Sequence, residues 1–282
     1  MPALIVNADD FGLTPGVNRA IGELHAAGAV KSTSLMARAS ATEEAIEIAR
    51  RNPSLDAGCH IVLVDGDPVL QASEIPSLTD RRTGSFPTAL RTFLARLFTR
   101  RIRAAEIEAE VTAQIAFLQD RGVRLTHIDT HKHLHIFPTV LRSVLRAARA
   151  RGISAIRNPF EPAWALRATQ GAPWLRLAQA AAAHSFEPIV RRIIDDEGFV
   201  TTDGTIAIAG TGILDAAMLR TLLGQMPAGR WELVTHPGYN DADLARVRTR
   251  LRASREVERA ALLTLKDIPT IEPISFADLA RR

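Results

Sequence analysis

Short apolar runs of strand character alternate with longer segments of helical periodicity along most of this chain, and that alternation restricts the fold more than any other feature. Leu4-Ile5-Val6 is followed by a turn and then by Val17, Ala20, Ile21 and Leu24, whose three- and four-residue spacing marks one helix face within about 14–27. Ser32, Leu35 and Met36 precede a helix over about 42–51, with Thr42 as its cap, Ala45 and Ile46 inward and Asn52-Pro53 as its end. Residues 58–64 read as strand, 104–121 as a long helix closed by Gly122, and 123–128 as strand. Pro138 opens a helix that runs to Arg151 and stops at Gly152, and 153–156, 205–209 and 231–234 complete the strands. Strand then helix, repeated, calls for an α/β fold: a parallel sheet, or a barrel of strands ringed by helices.

The 282 residues, 46% of them hydrophobic, suffice for one large core, and nothing resembles a flexible linker, so a single domain over 1–282 is expected. Two segments break the rhythm. Residues 65–86 carry Asp65-Gly66, Pro68, Pro76 and Gly84, a long loop of the kind that shapes a binding site. Residues 159–196 hold Trp164 and Trp174 among alanines, prolines and arginines, and read as a helical insert: a cap over the barrel, or else a lid or platform for an apolar ligand.

Charge excludes more than it proposes. Of the 35 basic residues only Lys31, Lys132 and Lys266 are lysine, and the arginines are interspersed with acidic residues along the helices. With 5% aromatic content and no finger or stacking-platform pattern, nucleic acid is not an expected partner. Clusters such as Arg100-Arg101-Ile102-Arg103 and Arg191-Arg192 read as solvated faces, with peripheral membrane contact as the alternative. The lone Cys59 excludes an internal disulfide and suits a reducing compartment, as a small buried residue leading into His60. No secretory-signal pattern and no apolar run of spanning length is present. A cytoplasmic location, at most peripheral to the inner membrane, is therefore expected, with monomer and homo-oligomer both open.

The candidate chemistry gathers at the ends of the strand-like runs. Half of the eight histidines fall within His127-Ile128-Asp129-Thr130-His131-Lys132-His133-Leu134-His135. Asp9-Asp10 follows the first strand, His60 lies in or beside its own, and His236 follows 231–234. In parallel strand-helix folds the carboxyl ends of the strands converge on one face, so residues far apart in sequence can meet there. Neutral imidazole and carboxylate hold a divalent ion while leaving a position open for water. Singly, each has a plainer reading: an Asp-Asp pair as a cap or turn, a histidine as a hydrogen-bonded core residue. If the histidine run stays extended, His127, Asp129, His131, His133 and His135 share one side. A helical turn would instead pair His127 with His131, and His131 with His135. Neither geometry lets all of them bind one ion with open coordination, so two or three are expected to support the site or contact substrate.

Val6-Asn7-Ala8-Asp9-Asp10-Phe11-Gly12, Gly58-Cys59-His60, Thr126 through His135, and Thr235-His236-Pro237-Gly238 resemble, in order, the successive motifs of the YdjC-like carbohydrate deacetylases, which include chitooligosaccharide deacetylase. Val64 through Leu70, Ile75-Pro76-Ser77-Leu78 and Gly84-Ser85-Phe86 look most like the hopanoid-biosynthesis-associated branch known as HpnK. The resemblance implies a deformed (β/α) barrel of mostly parallel strands ringed by helices, and metal-dependent removal of acetyl from an N-acetylated sugar. By motif position it implies Asp10, His60 and His131 as ligands of one divalent ion, with Asp9 beside them as general base. Two nitrogens and one carboxylate suit an ion that acidifies a water and polarises an acetyl carbonyl. The sugar amine must then be protonated, and His236 is the candidate acid because imidazole titrates near neutral pH; a strand-end cap before Pro237-Gly238 is its plainer reading.

Arg157 resembles a family position at the edge of the site, where it would orient Asp9, bind sugar hydroxyls or form a surface ion pair. Asp129 and His133 are the candidates for support behind the ligands, and His25, His127, His135 and His184 receive no role. Ligand softness favours Zn2+, with Mg2+ as the alternative. The expected substrate is an N-acetylglucosaminyl hopanoid glycolipid, with a chitooligosaccharide such as diacetylchitobiose as the alternative. A metal phosphoesterase, which would commonly bind two ions with more carboxylates, and a non-catalytic glycan- or metal-binding module are the competing classes.

Overall fold

The computed structural model describes residues 2–265 and 272–280. Its strands are β1 (Ala3–Phe11), β2 (Ser32–Leu35), β3 (Asp56–Ile61), β4 (Leu125–Thr130), β5 (Ala155–Ile156), β6 (Gly204–Ile206), β7 (Arg230–Thr235) and β8 (Glu272–Ile274). They form one sheet in the order β5-β4-β3-β2-β1-β7-β6, with β8 also paired to β1, and all these pairings are parallel. The sheet curls into a half-barrel ringed by helices, as the alternation requires. A parallel bridge from Ala155 to Val200 adds the segment just before β6 to the edge strand β5.

The strand period of two sorts the side chains of β1 onto two surfaces. Leu4, Val6 and Ala8 belong to the large core between strands and helices, whereas Ala3 and Ile5 point inward, into a small cluster with Ala155, Ile274, Phe276 and Leu279. Helix Pro15–Ala26 supplies Val17, Ala20, Ile21 and Leu24 to its inner face, all fully buried. Burying an Ile or Leu of this kind contributes about 1.5–3 kcal/mol each. Its start is fixed locally: the Thr14 Oγ1 accepts from the Val17 N–H at 3.2 Å, and Pro15 opens the first turn. Thr42, by contrast, is not a cap. It is the first residue of helix Thr42–Arg51, and its hydroxyl donates to the Met36 carbonyl at 2.9 Å while accepting from the Ala39 N–H, so it pins the preceding loop.

The long loop at 65–86 is fastened to helix Ala104–Gln119 by carboxylates. Glu110 accepts from the Val69 and Leu70 N–H groups at 2.8 and 3.0 Å, and Glu106 accepts from the Ser77 N–H at 2.7 Å. The insert at 159–196 contains helices Ala163–Ala168, Trp174–Ala183 and Glu187–Asp196. Its two tryptophans are not one platform: Trp164 packs edge-on against Trp231 of β7, while Trp174 is 78% exposed. Among the described residues, no helix is long and apolar enough to cross a membrane.

Candidate active site

Interior polarity rises toward the carboxyl ends of the strands. At the lower level His127 stacks on Phe276, ring centroids 3.9 Å apart, and burial pushes its pKa down to about 4, so it is a neutral plug. Gly58 makes room for it, since a Cβ there would lie 2.3 Å from the His127 Nε2. One level up, His60 and Asp129 are register partners on β3 and β4 and face the same interior.

At the end of β1 a bulge between Ala8 and Phe11 breaks the period of two. Asp10 there has φ +65, a conformation that asparagine and aspartate tolerate better than most residues. Regular strand geometry would send Asp9 and Asp10 to opposite faces. With the bulge, both line the same cleft.

The histidine run is neither extended nor one regular turn. Residues His131–Ile136 form a 3-10 segment broken by left-handed Lys132 and His133, at φ +58 and +53. The break separates the histidines. His131 turns toward Asp10 and His60, whereas His135 is sequestered between the Thr130 hydroxyl at 2.7 Å and the Arg157 carbonyl at 3.2 Å. Lys132 pairs with Asp65 at 2.8 Å and so ties the start of the long loop to the site.

Three ligand atoms form a nearly equilateral triangle: His60 Nε2 to His131 Nδ1 is 3.3 Å, and each lies 3.6 Å from Asp10 Oδ1. Ligands held at roughly 2.0–2.2 Å from a tetrahedral or octahedral ion are separated by roughly 3–3.5 Å, so the residues fit one divalent ion. The rest of each group supports that reading. Both oxygens of Asp129 lie 3.0 Å from His60 Nδ1, leaving Nε2 for the triangle, and Asp10 Oδ2 accepts from Arg255 Nη2 at 2.5 Å. Burial pushes His131 down to about 4. Burial also works against a charged His60, but Asp129 outweighs it and the ring is pushed up to about 9. A second set, Asp9, His60 and Asp129, is close enough to hold a cation. Its two carboxylates already share the Arg157 guanidinium.

Arg157 is fully buried, which removes the surface ion pair and the sugar contact from its readings. Nη1 and Nη2 fork onto Asp9 at 2.8 and 2.6 Å, Nε donates to Glu232 at 2.8 Å, and Nη1 also meets Asp129. Burial would raise the carboxyls of Asp9 and Asp129, yet the guanidinium holds both below the usual carboxylate range. For Asp10, burial is likewise outweighed, there by Arg255. Glu232 takes the opposite course: burial pushes it up to about 7 despite Arg157.

His236 stands across Asp9, with Nε2 3.9 Å from Asp9 Oδ2. Its backbone N–H donates to Glu258 Oε2 at 2.6 Å, and the same oxygen lies 3.9 Å from Nδ1. Arg255 and Glu258 both come from helix Ala253–Leu262, three residues apart and therefore on one face. These two, with Glu232, are the members of the site that the sequence reading missed. Glu232 left a trace, a lone charge inside the apolar run Trp231-Glu232-Leu233-Val234; Arg255 and Glu258 look like any surface pair on a charged helix.

Asp9, Asp10, His60, His131, His133 and His236 all border one cleft of about 910 Å3, whose rim includes Arg91, Lys132 and the segment 247–252. His133 Nδ1 is buried and has no partner among the described residues. Burial pushes this imidazole down to about 3, so it faces the cleft neutral. A carboxylate and an imidazole beside three groups that could hold a cation, at the foot of a cleft this size, are side chains of the kinds that hydrolysis of a polar group on a small ligand requires.

A family model described as YdjC-like protein matches residues 3–266. A carbohydrate deacetylase of Thermoanaerobacter pseudethanolicus is 30% identical over 271 residues, 95% of this chain and 93% of its own length. Another, from Brevibacillus brevis, is 41% identical over 157 residues, 56% of this chain, and there the chain spans only 59% of the relative. Among solved structures, a candidate cellobiose-phosphate cleavage protein from Enterococcus faecalis superposes with a TM-score of 0.77 at 24% identity, covering 99% of this chain and 98% of that one. A lactam utilization protein from Thermus thermophilus gives a TM-score of 0.52 at 16% identity, covering 98% of this chain and 100% of that one. At such identities the two structures speak for the half-barrel fold alone.

Proposed function

The chain belongs to the YdjC-like protein family, and from that premise we propose that it is a metal-dependent hydrolase that removes the acetyl group from an N-acetylated amino sugar. One observation carries the reading: the Asp10, His60, His131 triangle opens into the cleft with Asp9 on one flank and His236 beyond it. The relatives described as carbohydrate deacetylases supply the substrate class.

A divalent ion held by Asp10, His60 and His131, zinc by the softness of two imidazoles and magnesium as the alternative, would polarise the acetyl carbonyl and acidify a water. Asp9, kept ionised by Arg157, accepts that water's proton as its oxygen bonds to the carbonyl carbon. His236 gives a proton to the sugar nitrogen as the C–N bond breaks, so the products are acetate and a free amine. Asp129 holds the His60 ring, Arg157 holds Asp9, and His133 borders the space left for the substrate.

Within this class, an N-acetylglucosaminyl glycolipid of the hopanoid type is the proposed substrate, and diacetylchitobiose is the alternative. Support for the lipid comes from the loop at 64–86, whose sequence resembles the HpnK branch and whose Asp65 borders the cleft. Incubating the metal-supplied protein with each compound and measuring free amine separates the outcomes. Release from the glycolipid in preference to the disaccharide is expected; release from neither overturns the deacetylase reading.

A further inference from the structure

Helix Trp174–Ala183 has the sequence Trp-Leu-Arg-Leu-Ala-Gln-Ala-Ala-Ala-Ala, yet not one of its residues is buried. Trp174, Leu175, Ala178, Ala181 and Ala182 are exposed, and their spacing places them on one outward face, interrupted only by Gln179. Trp174 and Leu175 are 78% and 53% exposed. The helix's one charge is turned inward: Arg176 Nη1 donates to the carbonyls of Ala209 and Thr211. A water-facing helix is normally polar outside and apolar inside. This one is apolar on its outer face as well as at Leu177, Ala180 and Ala183 within, and its single charge is on the inner side.

The stripe adjoins the cleft. Thr211 lines the cleft, and the neighbouring Gly212 sits between Arg176 and Leu251, where a Cβ would lie 3.0 Å from Leu251 Cδ2 and 4.0 Å from Arg176 Nη2. Leu251 belongs to the rim segment 247–252. On that rim Arg248 and Arg250 are exposed, and so is Arg91 at the start of helix Leu90–Phe98. None of these three side chains makes a hydrogen bond or ion pair among the described residues. The clusters at Arg100-Arg103 and Arg191-Arg192 are not part of this rim, and Arg191 and Arg192 are already paired with Glu187 and Asp196.

We propose that the rim formed by helix Trp174–Ala183 and the arginines Arg91, Arg248 and Arg250 docks on an anionic lipid bilayer. A tryptophan-led apolar stripe suits the boundary between headgroups and acyl chains, and unpaired arginines beside it suit anionic headgroups. The arginines also decide against a second copy of the chain, because a two-fold interface on this stripe would set arginine against arginine along the seam. Docking of this kind does not depend on the deacetylase reading, and its assay contains no reaction.

The test is co-sedimentation of the full chain with vesicles of phosphatidylcholine mixed with phosphatidylglycerol, against phosphatidylcholine alone. The wild type is expected to pellet with the mixed vesicles and to be released by salt. Arg248→Gln and Arg250→Gln should each weaken binding about fivefold, the factor that corresponds to about 1 kcal/mol per basic residue at such a surface. Trp174→Glu should lower it several-fold while melting with the wild type, since its side chain has little packing to lose. Arg192→Gln should leave it unchanged. Equal pelleting with neutral and anionic vesicles, or no pelleting at all, overturns the proposal. A wild-type dimer that Trp174→Glu converts to monomer would also overturn it, by assigning the stripe to a second copy.

Discussion

Replacing Arg157 by methionine removes the one cation that three buried carboxylates share. In the wild-type chain the guanidinium touches Asp9, Asp129 and Glu232, and none of the four side chains exceeds 3% exposure. Breaking a buried pair from one side costs about 3–5 kcal/mol, because the remaining charge is stranded. Here the stranded charge can escape by protonation. Glu232 is already pushed up to about 7, and Asp9 and Asp129 lose the guanidinium that holds them low.

In the variant, folded-state pKa values rise above those of the unfolded chain, which lie near about 4. The native state then binds the extra protons, and stability falls as pH rises through that window. The wild-type aspartates have the opposite sign: their depressed pKa values supply stability above about pH 4 that is lost on acidification. Urea unfolding followed by circular dichroism should therefore show a deficit of about 3–5 kcal/mol at about pH 8 and a smaller one at about pH 5. Adding Glu232→Gln removes one stranded charge and should recover part of the loss at the higher pH. An equal deficit at both pH values, or one under about 1 kcal/mol, refutes the shared-cation account.

Asp129→Asn weakens the hold on the His60 ring and is expected to lower metal affinity by about 10–100-fold in chelator competition; unchanged affinity would separate Asp129 from the ligand set. Asp9→Asn should keep the metal but lose at least about 100-fold in kcat, and turnover at the wild-type rate would remove Asp9 as the base. His236→Ala should lose about 100–10,000-fold on the amide, where the departing nitrogen needs a proton, but far less on 4-nitrophenyl acetate, whose leaving group does not. Equal losses on both substrates would give His236 some other task.

The alternation of strand and helix was legible because each period survives in its own segment, as in Leu4-Ile5-Val6 followed by Val17, Ala20, Ile21 and Leu24. The convergence of Asp9, Asp10, His60, His131 and His236 followed from where parallel strands end. The bulge at Asp10 and the left-handed pair at Lys132 and His133 were not legible, since both are settled by packing rather than by local preference. Arg157 could be placed at the site but not buried there, because nothing local shows that Asp9, Asp129 and Glu232 surround it. Trp164 could be placed in a cap or a ligand platform but not against Trp231, a contact between residues far apart in the chain. Arg255 and Glu258 were lost for the same reason: a charged pair three apart looks identical on a solvated face and on a face closing an active site.

The central claim is that one ion in the Asp10, His60, His131 triangle serves one hydrolytic site. Acetate release from an N-acetylglucosaminyl substrate, measured as metal is titrated into metal-stripped protein, tests it directly. The account predicts activity that rises from none and saturates at one equivalent per chain, and that stays absent in a His131→Ala variant under the same titration. Saturation at two equivalents, or release that does not depend on added metal, would contradict it.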